Sequence, residues 1–134
     1  MTVDGLITIL STFGPKETMD RLESEVKAKG LTVFARVDHA AGAQAVGLKL
    51  RPTELLIFGN AKAGTPLMAA DQRIGIDLPL KALVYQDETG NVQLTYVDPG
   101  WLARRYGLGA TVAANVEALS KTLSSLAAGA TKST

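Results

Sequence analysis

Cysteine is absent from this 134-residue chain. That absence excludes a disulfide framework, thiolate metal ligation and cysteine nucleophiles together. Histidine is nearly as scarce, with His39 standing alone, and one imidazole without a thiolate does not build a tight zinc site. Neither sign of charge is in excess: fourteen Lys and Arg face thirteen Asp and Glu. Composition therefore supplies no basic footprint for nucleic acid or an anionic membrane. No apolar run approaches the roughly 20 residues needed to span a bilayer. The start, Met1-Thr2-Val3-Asp4-Gly5, lacks the basic region and apolar stretch of an export signal. The expectation is a soluble, cytoplasmic protein that needs no cofactor, no metal, no nucleic acid and no membrane.

What is present suits one domain, residues 1–134, with a core over about 5–127 and a small, polar, frayed tail over 128–134. Leu6 to Phe13 alternates as a strand, with Ile7 and Ile9 on one face. Gly14-Pro15 starts a helix whose apolar stripe is Met19, Leu22 and Val26, and Gly30 ends it. Leu31 to Asp38 reads as a second strand, with Val33, Ala35 and Val37 on one face and Phe34 and Arg36 on the other. Ala40 to Gly47 is alanine-rich and predicts a short helical turn. Thr53 to Phe58 is a third strand, and its Leu55-Leu56-Ile57-Phe58 run is apolar on both faces. Such a strand is covered on both sides, by helices or by a partner chain.

A loop from Gly59 to Gly64 leads to a short helix capped by Thr65, with Pro66 at its first position. Leu80 to Gln86 and Val92 to Val97 read as strands around the hairpin loop Asp87-Glu88-Thr89-Gly90-Asn91. Asp98-Pro99 caps another short helix. A last helix opens at Thr111, with Val112, Val116, Leu119, Leu123 and Leu126 at helical spacing. The order β-α-β(4)-α, with short helices inserted in loops, predicts an α+β fold: an antiparallel sheet with helices on one face.

Several separated blocks carry a resemblance. They are Phe34-Ala35-Arg36-Val37-Asp38-His39-Ala40-Ala41-Gly42-Ala43 and Leu50-Arg51-Pro52-Thr53-Glu54-Leu55-Leu56-Ile57-Phe58-Gly59-Asn60. Ala63-Gly64-Thr65-Pro66-Leu67-Met68 and Gly75-Ile76-Asp77-Leu78-Pro79-Leu80-Lys81 follow in order. From about Leu6 to Leu126 the chain resembles the domain-of-unknown-function-302 family of prokaryotic proteins. Ala61 departs from it, since such sequences often carry proline after the Gly-Asn pair. The resemblance implies a fold similar to the TATA-binding-protein-like class, β-α-β(4)-α and usually dimeric, and it implies no established activity.

Two groups of polar residues are candidates for chemistry. The stretch Gly59-Asn60-Ala61-Lys62-Ala63-Gly64-Thr65 has the glycine spacing of a phosphate-binding loop, but it lacks the lysine between the last Gly and the Thr. What survives is an anion held on free N–H groups near Gly64 and Thr65, with Lys62 adding charge. The ends of the third and fifth strands share one edge of a meander. Asn60, Lys62, Gly64, Thr65, Lys81 and Asp98 therefore form the expected ligand-binding cluster. The second group is His39 beside Asp38, a candidate general base or a hydrogen-bonded strand-end histidine. His39 and Asn60 meet only if the chain crosses over or a dimer partner supplies one of them.

Asp38, Asp77 and Asp98 follow no metal-ligand spacing. Trp101, Tyr96, Tyr85 and Phe58 are scattered and read as core rather than as a pocket lining. The leading expectation is a homodimeric module that binds a small ligand, an anion among the candidates. The alternatives are an enzyme using His39 with Asp38 or Asn60, and a structural or interaction domain without a small-molecule site.

Overall fold

Alternation of apolar and polar side chains sorts the strands into two faces, and the helices take only one of them. A computed structural model describes residues 2–133. The elements run β1 (Leu6–Ser11), α1 (Pro15–Ala28), β2 (Thr32–Asp38), α2 (His39–Ala45), β3 (Thr53–Gly59), α3 (Ala61–Ala70), β4 (Leu80–Gln86), β5 (Val92–Val97), α4 (Pro99–Arg105) and α5 (Ala113–Thr131). Short 3₁₀ turns at Gln72–Ile76 and Ala110–Val112 precede β4 and α5. The strands form one open sheet in the order β1-β5-β4-β3-β2, with every neighbouring pair antiparallel. The chain thus has the expected α+β architecture.

Register explains the core. Leu56 pairs with Ala82 and Ala82 with Tyr96, while Phe58 pairs with Leu80. These side chains share a face and are buried. α1 lies over β2, β3 and β4, and α5 over β1 and β5. Met19, Leu22 and Val26 come down from α1, and Leu119, Leu123 and Leu126 from α5, all nearly inaccessible to solvent. Each such side chain contributes roughly 1.5–3 kcal/mol by leaving water. The opposite face carries Leu55, Ile57, Leu83, Tyr85 and Val97, all half-buried, and Leu6, Leu10 and Val37, all exposed. No helix among the described residues covers it.

Three expectations need correction. The β2 register slips between Val33 and Ala35: Val33 pairs with Phe58, yet Ala35 pairs with Ile57 and Arg36 with Leu56. This β-bulge gives Phe34 no partner on β3 and turns Arg36 to the helix face, so Val33 does not share a face with Ala35 and Val37. The first strand stops at Ser11, two residues early, because Ser11 and Thr18 form a buried hydroxyl pair, 2.6 Å apart, that anchors the start of α1.

The tail is not frayed through the described residues. Helix α5 runs to Thr131, and Ala130 and Thr131 are fully buried. The Thr131 carbonyl accepts from the Thr12 N–H at 2.9 Å and from its hydroxyl at 2.8 Å. Arg21 donates to the carbonyls of Gly129 and Lys132 at 3.3 and 3.2 Å while stacking 4.1 Å above Phe13. A cation on the last carbonyls is where the helix dipole favours it.

Ending the chain at Ala128 removes these contacts. The expected cost is about 2–4 kcal/mol, from these four lost hydrogen bonds and the uncovered core beneath them. Urea denaturation measures it; unchanged stability would mean that the last turn is dispensable.

Candidate functional site

Strand β3 ends at Gly59, and Asn60 then caps α3: its Oδ1 accepts the Ala63 N–H at 2.7 Å. The helix therefore begins at Ala61, five residues before the expected first position at Pro66. This overturns the premise of the predicted anion site. The Gly64 N–H donates to the Asn60 carbonyl at 3.1 Å, and Thr65 and Pro66 lie within the helix. Pro66 leaves the Lys62 carbonyl without its usual i+4 donor, inside the helix rather than at its start.

Beneath α3 lies a pocket of about 270 Å³. Gly64 and Met68 of α3, Leu78 from the segment entering β4, Leu119 of α5, Phe34 of β2 and Asn60 line it. Asn60 is the one polar side chain among the lining residues, and none of them is charged. A Cβ built on Gly64 would meet Met68 Cε at 3.6 Å and Leu78 Cδ1 at 3.7 Å. The missing side chain is therefore part of what keeps the pocket open.

Of the predicted cluster, Asn60 and Gly64 line this pocket, whereas Lys62, Thr65, Lys81 and Asp98 do not. Lys62 and Thr65 sit on the exposed side of α3. Lys81 pairs with Ile57 on the open face, and its ammonium donates to the Asp77 and Pro79 carbonyls at 3.3 and 3.0 Å. Asp98 caps α4 by accepting the Gly100 N–H at 3.0 Å. The ends of β3 and β5 do share one end of the sheet, but their side chains do not converge.

His39 lies elsewhere. It is the exposed first residue of α2, and Asp38 is spent as the cap, accepting the Ala41 N–H at 2.9 Å. The expected strand-end position of His39 is corrected by that helix. No hydrogen bond to its ring is formed among the described residues. Thr32 pairs with Gly59 and Asp38 with Glu54, so His39 and Asn60 leave opposite ends of a strand pair, roughly 20 Å apart. Within one chain they do not meet.

Two clusters escaped the reading of the sequence. Arg36 holds Glu54 through Nε at 2.6 Å and Nη2 at 3.0 Å. Its Nη1 reaches Asp20 at 2.9 Å and Glu23 at 3.1 Å on α1. Glu54, foremost, raises the guanidinium pKa further above its ordinary value. Lys16 and then Arg36 hold the Asp20 carboxyl below its usual range, and Lys27 and then Arg36 do the same for Glu23. Arg36 and Glu54 sit in an open cleft of about 1020 Å³ between the start of α1 and α2. With its donors already engaged, Arg36 joins α1 to β2 and β3 rather than awaiting a ligand. A charged residue within an apolar strand was the available signal.

The second cluster is Asp77, which accepts from the Tyr106 hydroxyl and lies 3.6 Å from Arg105. It ties the segment that forms one wall of the pocket to the end of α4. The Asp77 hydrogen bond, more than burial, pushes the Tyr106 phenol pKa up.

Comparison with known proteins places these features in a family. A family model described as domain of unknown function DUF302 matches residues 7–126. A crystal structure of an uncharacterized conserved protein DUF302 from Bacillus stearothermophilus superposes with a TM-score of 0.83. It is 21% identical and covers 97% of this chain and 100% of that one, a likeness of fold. Proteins named fluoride-specific ion channel FluC 1 from Brucella suis and Brucella abortus are 50% identical over 105 residues. That stretch is 78% of this chain and 41% and 39% of theirs, so the chain spans about two fifths of the curated relatives it matches.

The Arg36 network sets an acid limit. Asp20 and Glu23 are depressed from ordinary values of 3.8 and 4.5. Their contribution is complete above those values and is lost as pH falls through the lower, folded ones. Arg36→Gln is expected to cost about 1–3 kcal/mol at pH 7 and to flatten the fall in stability between pH 5 and 3. Urea titrations across that range test it, and parallel pH curves for the two proteins would contradict it. His39→Gln should change stability by less than about 0.5 kcal/mol.

Proposed function

Because the chain belongs to the DUF302 family, a domain of unknown function whose membership prescribes no activity, we propose from its geometry that it is a homodimeric module binding a small organic ligand. The observation that carries this reading is the apolar pocket between α3, α5 and the segment entering β4, with Asn60 as the one polar side chain among its lining residues. A concave apolar site with one directed polar group is the usual form of a small-molecule site. Its volume of about 270 Å³ suits a compact molecule of one or two rings or a short chain. The absence of charge from the lining residues favours a neutral ligand over an anion. The exposed position of His39 gives the catalytic alternative no support.

The open face of the sheet supports the dimer. Leu6, Leu10, Val37, Leu55, Ile57, Leu83 and Val97 form one side without a helical cover. A stable interface buries roughly 800 Å² per partner, and all five strands contribute to this face. An apolar surface of this kind in water marks an association site.

The Brucella relatives are named for fluoride conduction. We assign that conduction to the part of those proteins outside the shared stretch. No described helix of this chain is long and apolar enough to cross a membrane. On this reading the shared stretch is a binding module carried alongside the channel.

Two measurements test the proposal. Neutral organic fragments titrated into labelled protein should shift the amide resonances of Ala63, Gly64 and Gly75. Gly64→Ile fills the pocket from an ordinary helical position, so it should abolish those shifts without lowering stability. Shifts confined to the open face or to the α2 cleft would reject the site. Sedimentation should give a dimer at micromolar concentration, and Leu83→Arg should give a folded monomer; a monomeric parent protein would reject the assembly.

A further inference from the structure

One aromatic side chain that lines the pocket has no pairing partner on β3. Phe34 is the residue that the β2 bulge leaves over: Val33 takes Phe58 and Ala35 takes Ile57, so nothing on β3 faces it. Its exposure is 55%, high for a phenyl ring, yet it lines the pocket. Bulges are a means of re-aiming one side chain at the edge of a site. Here the bulge occurs on an edge strand beside the single apolar pocket that also holds Asn60, among the described residues.

The other walls fit the same guest. Gly64 and Gly75 both line the pocket, and a Cβ on Gly75 would come within 3.4 Å of Met68 Sδ. The walls there are bare backbone and a polarisable thioether. Sulfur favours contact with aromatic edges and faces. Asn60 supplies the remaining constraint. Its Oδ1 is occupied by the Ala63 N–H, which leaves Nδ2, a donor, with no acceptor among the described residues. A ligand acceptor within reach of Nδ2 would be met by it.

We propose that the pocket recognises a neutral, planar aromatic molecule of one or two rings bearing a carbonyl or ring-nitrogen acceptor, with Phe34 stacking on the ring and Asn60 Nδ2 donating to the acceptor. This deepens the reading of the pocket as a ligand site and rests on it. A two-ring guest needs roughly 170 Å³ at the packing density of protein interiors, within the space present. Because Phe34 is unpaired and exposed, replacing it leaves the fold intact.

The experiment titrates the full chain with acetophenone, with cyclohexyl methyl ketone and with benzoate, following the amide resonances of Ala63, Gly64 and Gly75. The first two carry the same acceptor on a flat and a puckered ring, and the third adds a charge. Acetophenone is expected to bind at least tenfold more tightly than either. Phe34→Leu should erase the preference for the flat ketone, and Asn60→Ser, which keeps a capping oxygen, should weaken both ketones alike. Equal binding of the two ketones overturns the aromatic assignment while the ligand site stands. Benzoate binding as tightly as acetophenone overturns the neutral one. No shift at these residues with any of the three overturns the ligand site itself, and this inference with it.

Discussion

Leu56 and Phe58 on β3, Ala82 and Val84 on β4, and Leu94 and Tyr96 on β5 form one continuous apolar surface, which α1 and α5 cover. The rest of the molecule follows from that one-sided burial. Two helices cannot roof five strands from end to end. At one end of the sheet α3 and the segment before β4 fill in beside α5 and leave the apolar pocket; at the other, α2 stands off from α1 and leaves the charged cleft. The second face, equally apolar on β3, carries no helix among the described residues. Pocket, cleft and open face are thus three consequences of the same packing.

A single extra residue in β2 has effects on both sides of the edge strand. Without the slip between Val33 and Ala35, Arg36 would not lie opposite Leu56. With it, the guanidinium turns under α1 and meets Glu54, Asp20 and Glu23. A half-buried cation is costly unless its donors are met. The bidentate grip on Glu54 and the two carboxylates of α1 meet them, and in doing so set the helix on the sheet. The same slip frees Phe34 from strand pairing. Helix placement and one side chain of the pocket lining are coupled through a single irregularity of the backbone.

The pocket is shaped by where α3 begins. Asn60 and Thr65 are both competent caps, and the Thr65-Pro66 pair is the stronger local signal. The protein uses Asn60. Starting there brings Ala63 and Leu67, four residues apart, onto the core side of the helix. That burial outweighs the intrahelical bond lost at Pro66. The same choice takes Gly64 out of a loop and places its bare backbone in the wall of the pocket.

Much of the fold was legible along the chain. Period-two alternation marked β4 and β5, helical spacing marked α1 and α5, and Asp87 to Asn91 and Asp98 declared a turn and a cap through local hydrogen bonding. These are features that a residue and its near neighbours determine together. The bulge was not legible, because Val33-Phe34-Ala35-Arg36-Val37 alternates acceptably in either register until Glu54 and α1 select one. The order of the last turn was not legible either. Ala127, Ala130 and Thr131 are small, and they are buried because α5 passes so close to α1 that a Cβ on Gly129 would fall 2.6 Å from Glu25 Cδ. Nor was the scatter of the polar cluster. Lys81 and Asp98 share a sheet end with Asn60, but strand parity puts Lys81 on the other face and Asp98 turns into its own helix. Sequence by itself determined which segments are strands and helices and which side chains must leave water, since propensity and periodicity are local. Which backbone groups cap each helix, which face each charge takes and where an apolar hollow remains were decided by tertiary packing, because only contact between distant segments separates alternatives that are locally equal in energy.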